Sequence, residues 1–179
     1  MARRSQTEMA VLGALSMQPM TAYALREAIR DVLGNFWSES FGQIYPTLQA
    51  LERQGHVERR EGPRAGSSTF AITAPGTARL HDLLNEPITT TPSRNGLLLR
   101  LFFGRTLGPA RCRELILQAR ADAERSLADY EELARTVAAE DAGSPDLPYI
   151  MTTISAGRHN AQSLIAWTDE ALTLLDGAS

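Results

Sequence analysis

The chain has 179 residues, 43% of them hydrophobic and 22% charged, with a formal net charge of −3. That length accommodates one large domain or two small ones with a true apolar core, and no stretch approaches the ~18 uninterrupted apolar residues of a membrane span. Charge is unevenly spread, nine Arg against seven acids in residues 1–80 and nine Arg against fourteen acids in 81–179, without a single Lys, so the two halves point to two tasks.

The opening "MARRSQTEMAVLGALSM" has two arginines before apolar residues, as a signal peptide does, but Glu8 interrupts it and the spacing is helical. It reads as a folded helix from about Thr7 to Ser16 that buries Met9, Leu12 and Leu15. Arg3 and Arg4 are either a frayed basic end or within reach of phosphate. Pro19 ends the first helix. Thr21 then caps a second, "TAYALREAIRDVLG", with Leu25, Ile29, Val32 and Leu33 on one side and Gly34 as its stop. Phe36 and Trp37 follow in a short connection.

Ser40 is the expected N-cap of a third helix, and Ser40 with Gln43 matches the S-x-x-Q capping box. Ile44, Leu48 and Leu51 face inward, and Gly55 terminates. At 100° per residue Gly42, Pro46, Gln49 and Arg53 fall opposite, with Gln43 and Ala50 beside them. That face is small, amide-bearing or cationic. Gln bonds adenine edges bidentately, Arg bonds guanine or phosphate, and the Tyr45 hydroxyl on the flank suits a phosphate oxygen. Pro46 has no N–H for the Gly42 carbonyl, and glycine there is expected to relieve the crowding by the proline ring.

A β-hairpin should follow, "HVERRE" and "TFAIT" joined by "GPRAGSS". Arg59, Arg60 and Arg64 with Gly66, Ser67 and Ser68 suit a wing that reaches phosphates or the minor groove. Thr73 caps a further helix to Leu84, with Pro75 in its first turn. Helix, helix, helix, hairpin, helix is the winged helix-turn-helix order.

"NEPITTTPSRNG", residues 85–96, reads as a linker. Then come a short apolar helix, "LLLRLFF", and a long one from about Pro109 to Glu140 with a stripe of Ile116, Ala119, Ala123, Leu127, Tyr130, Leu133 and Val137. The last helix, about Tyr149 to Leu175, carries Ile150, Ile154, Ala161, Leu164, Ile165, Leu172 and Leu175. Two long amphipathic helices joined by a Gly-Pro turn form an antiparallel pair that needs a further apolar surface, supplied by a second copy or by the first domain. The expected fold is therefore mainly α: a winged helix-turn-helix domain (1–84), a linker (85–96) and a helical dimerisation domain (97–179).

Nothing here has the spacing of a catalytic or cofactor motif. No enzymatic activity and no cofactor are expected. His56, His81 and His159 lack any ligand spacing, so no metal is expected either. Lone Cys112 cannot form an internal disulfide, which fits a reducing cytoplasm. Arg111 and Arg113 flank it without facing it, so it reads as an ordinary semi-buried thiol.

The stretch "FWSESFGQIYPTLQALERQGHV" (36–57) resembles the recognition-helix signature of PadR-family transcriptional regulators, supported by "MTAYALREAI" (20–29) and "FAITAPGTARL" (70–80). The C-terminal half is similar to the longer-tailed branch of that family. The resemblance implies a homodimeric, usually repressing regulator of a pseudo-palindromic site on double-stranded DNA, often released by a small-molecule effector. By the motif, Ser40, Gly42, Gln43, Tyr45, Pro46 and Thr47 begin the DNA-facing helix, and Arg64 to Ser68 form the wing tip. Phe36, Trp37 and Trp167 suit either an effector pocket or the core. Ala22 stands where many relatives have glycine, and Phe70 where a wing tyrosine is commoner. The alternative is a winged-helix protein-interaction scaffold that dimerises through its C-terminal helices.

Overall fold

The computed structural model describes residues 2–30, 41–61, 67–88, 95–140 and 142–176. They divide into two compact units, Met1–Thr91 and Pro92–Ser179. In the first unit α1 (Ala2–Met17) leads into a short strand β1 (Met20–Thr21), α2 (Ala22–Ala28) and α3 (Phe41–Arg53). A hairpin of β2 (Val57–Glu61) and β3 (Ser68–Ile72) and helix α4 (Ala74–Asn85) complete it. Helix α1 begins five residues before the expected Thr7. Among the described side chains Thr7 is the first that is buried, so the apolar pattern marks the buried face and not the start of the helix.

Local chemistry sets most of the boundaries. The Thr21 hydroxyl accepts from the Ala24 N–H and caps α2, and Thr73 accepts from the Gly76 N–H to cap α4. Helix α3 ends in a Schellman turn. Gly55, at φ +76°, donates to the Glu52 carbonyl (3.0 Å), and His56 donates to Leu51 (2.9 Å). Gly34 and the Ser40 cap lie outside the described residues.

The three strands form one antiparallel sheet in the order β1-β3-β2. Phe70 of β3 lies opposite Met20 on one side and Arg59 on the other. The short β1 was not evident from the sequence, since two residues carry no alternation to read. Val11, Leu12 and Leu15 of α1, Leu25 of α2, Ile44, Leu48 and Leu51 of α3, Val57, Phe70 and Leu83 make one core. Each fully buried leucine there stabilises the unit by about 1.5–3 kcal/mol. One polar junction ties the end of α3 to the start of α4: the Thr73 hydroxyl donates to the Gly55 carbonyl (2.7 Å) and the Thr73 N–H to that of His56 (3.1 Å).

The second unit comprises α5 (Gly96–Phe102), α6 (Gly104–Leu107), α7 (Pro109–Glu140) and α8 (Leu147–Asp176). Asn95 caps α5 by accepting from the Leu97 and Leu98 N–H groups, both at 3.0 Å. Helix α7 packs against α8 antiparallel, because partners run in opposite directions along the two. Arg113 bonds Asp176 (2.6 Å), Arg120 pairs with Asp169, and the Tyr130 ring covers Gly157. Ile116 and Ala123 of the expected α7 stripe are buried, as are Ile154 and Ala161 of α8. Leu164 departs from the expected α8 stripe and is 38% exposed, while Thr168 is fully buried with its hydroxyl donating to the Ile165 carbonyl (2.6 Å). Cys112 is buried rather than semi-buried, its sulfur 3.7 Å from the Gly104 carbonyl.

Candidate nucleic-acid interface

Helix α3 runs unbroken through Pro46. Ile44, Leu48 and Leu51 anchor it in the core, each at most 3% exposed. That orientation leaves Gly42, Gln43, Tyr45, Pro46, Gln49 and Arg53 on the solvent side, with Thr47 half-buried. The expected face is therefore assembled on one surface. Its neutral side chains offer amide and hydroxyl groups, and Arg53 makes no ion pair among the described residues.

The surroundings of Gly42 are open. A Cβ built there meets nothing within 4 Å, the Pro46 ring included, and the residue has no positive φ. No contact among the described residues demands a glycine there, and in a helix glycine is less stable than alanine by about 0.5–1 kcal/mol.

The hairpin also differs from expectation. Arg59 and Arg60 are not free cations. The Arg59 Nε and Nη2 groups donate to the two carboxylate oxygens of Glu52 at 2.9 and 3.1 Å. Its guanidinium lies 5.1 Å from the centroid of the Phe70 ring. The hydrogen bonds Arg59 donates to Glu52, then the Glu52 charge, raise the Arg59 pKa above its ordinary value. Arg60 Nε donates to Glu58 at 2.7 Å. Ser67 and Ser68 are half-buried at the start of β3, Ser68 opposite Glu61. Ser40, Arg64 and Gly66 lie outside the described residues, as do Phe36 and Trp37 of the suggested effector pocket. Trp167 is half-buried on α8.

Sequence reasoning missed Glu52. Its spacing from Tyr45, seven residues or two helical turns, puts both on one stripe of α3 and was a readable signal. Its union with Arg59 was not, since that depends on how the turn at Gly55 folds β2 back along the helix. Elsewhere, His81 and His159 sit on exposed faces of α4 and α8. Among the described residues no group of three or more His, Cys, Asp or Glu could hold a metal. Nor is any helix among them long and apolar enough to cross a membrane.

A helix anchored by three apolar residues, presenting a small polar face beside a two-stranded wing, defines a winged helix-turn-helix protein. Residues 11–82 match the family model "Transcriptional regulator PadR-like family", and residues 93–176 match "Virulence activator alpha C-term". The matches place a PadR-like transcriptional-regulator domain in the first unit, followed by a C-terminal helical segment of the virulence-activator type. It is 25% identical over 176 residues to the negative transcriptional regulator PadR of Bacillus subtilis, covering 93% of this chain and 96% of that one. The crystal structure of a PadR-like regulator from Bacillus cereus superposes with a TM-score of 0.81 at 21% identity, covering 97% and 99% of the two chains. The Bacillus subtilis PadR has been solved with operator DNA (TM-score 0.79, 22% identity, 94% and 98% covered). It has also been solved with p-coumaric acid (TM-score 0.76, 23% identity, the same shares covered).

Proposed function

We propose that this chain is a homodimeric, sequence-specific DNA-binding repressor released by a small organic effector, a regulator without catalytic activity that acts in the cytoplasm. The observation that carries the reading is the solvent face of α3. Gly42, Gln43, Pro46, Gln49 and Arg53 share one exposed surface, and its small residue answers no steric demand within the chain. Such a face lets a helix backbone sit deep in the major groove, with Gln43 and Gln49 at base edges and Arg53 at guanine or phosphate. Ser40, Tyr45 and Thr47 serve the adjoining backbone, and Arg64, Gly66, Ser67 and Ser68 form the wing contact.

The helical unit supplies the second copy. Leu98, Leu99, Phe102 and Phe103, on and just after α5, are 49%, 62%, 83% and 61% exposed, a cluster suited to burial against a partner. Two α3 helices on a dimer then meet successive major grooves of a pseudo-palindromic site. The Bacillus subtilis relative, solved with both operator DNA and p-coumaric acid, supports an effector that shifts the dimer away from its DNA-competent geometry.

Selection of duplexes from a random pool by the unaltered protein tests the reading, followed by titration of Gln43→Ala and Arg53→Ala variants. An enriched pseudo-palindrome is expected, with affinity lowered by about 1–3 kcal/mol in each variant. If no sequence is enriched, with or without phenolic acids present, the scaffold reading replaces this one.

A further inference from the structure

A carboxylate on the DNA-facing helix is the feature the reading above leaves unexplained. Glu52 lies two turns after Tyr45 on the same stripe of α3, and its side chain is 29% exposed. Beside a polyanion it should be repelled, and its removal should strengthen every DNA contact. Its geometry argues otherwise.

Both Glu52 oxygens are taken up by Arg59 in a bidentate pair at 2.9 and 3.1 Å. The guanidinium is also held at its face, 5.1 Å from the Phe70 ring, which is 5% exposed and set in the core. One edge and one face are thereby fixed. The Nη1 group makes no hydrogen bond among the described residues, and the Arg59 side chain is 48% exposed. Tyr45, 53% exposed, stands on the same stripe of α3 as Glu52, two turns earlier. A fork with one side locked and the other open is suited to a tetrahedral oxyanion, and the phenol O–H on the same stripe of α3 offers a second donor.

We propose that Glu52 is a positioning residue for DNA recognition, holding Arg59 on the flank of α3 so that the Arg59 Nη1 edge and the Tyr45 hydroxyl grip one backbone phosphate. The pair is a preformed phosphodiester site on the flank of α3. It carries no sequence information itself and sets the depth and register at which the helix enters the groove. Arg59 arrives already ordered, so less side-chain entropy is lost on binding than for a free arginine. This inference rests on the DNA-binding reading of α3.

The test compares the full-length unaltered protein, Glu52→Gln, Arg59→Lys and the double variant. Each is titrated by fluorescence anisotropy on the duplex selected by the unaltered protein and on a random-sequence duplex, over a range of salt. Glu52→Gln is expected to weaken binding to the selected duplex roughly tenfold, although it removes a negative charge. The slope of log affinity against log salt should fall by about 1, as for one lost phosphate contact. Arg59→Lys keeps the charge without the fork and should lose about as much, with little added loss in the double variant. Circular dichroism monitors folding, which an exposed ion pair affects little, and Arg59→Lys carries the test should Glu52→Gln fail to fold.

Equal or tighter binding by Glu52→Gln overturns the inference, as does an unchanged salt slope or simple additivity, and the DNA-binding reading then stands. If the unaltered protein enriches no sequence, that reading falls and the inference with it.

Discussion

Gly42→Ala separates the needs of the fold from those of the DNA. The substitution adds one methyl group to an exposed position of α3 where a Cβ has nothing within 4 Å and the backbone has no positive φ. Within the chain it therefore only restricts the unfolded ensemble and improves helix propensity. That stabilises the protein by about 0.5–1 kcal/mol, nearer the lower figure in a first turn. For a unit of this size the melting temperature rises by roughly 2–6 °C. Against DNA the same methyl has the opposite effect. Where the helix backbone presses on the duplex, an extra methyl acts as overpacking, with a penalty of about 1–3 kcal/mol and hence roughly 5- to 150-fold weaker binding. Thermal unfolding followed by far-ultraviolet circular dichroism gives the first quantity, and anisotropy titration on the selected duplex gives the second. A variant that melts higher and binds as well as the original refutes the close approach of this face to DNA. One that melts lower refutes the reasoning about the helix itself.

Gly76→Ala should act only on the fold. Its Cβ would overlap the His56 carbonyl oxygen and stand 2.9 Å from the His56 carbonyl carbon and Ile72 Cγ1, so chemical denaturation should show a loss of at least about 1–3 kcal/mol. Thr73→Ala removes the α4 cap and the bond to the Gly55 carbonyl, and the same assay should register about 1–2 kcal/mol. Gly157→Ala would put a methyl 2.7 Å from Tyr130 Cε2 and nearer still to Cζ. Prising the two long helices apart should lower thermal stability, and Tyr130→Leu in the same chain should recover part of the loss by making room.

The caps and stops of the DNA-binding unit were legible in the chain because each is settled within a few residues. Thr21 and Thr73 bond N–H groups three residues on, and the left-handed turn at Gly55 needs only its own lack of a side chain. The same locality makes Pro109 and Glu140 readable as the ends of α7. It also makes the exposed face of α3 readable, since three apolar residues at helical spacing dictate which side points outward. What the tertiary structure alone decided concerns residues that meet across the chain. Arg59 looked like a free cation of the wing until the turn at Gly55 brought Glu52 to it. The space around Gly42 proved open, whereas Gly76 proved wedged against the His56 carbonyl. Periodicity and capping are local physics and survive in one dimension. The partners of a charge and the room around a glycine belong to the packing, where segments distant in sequence fill the same space.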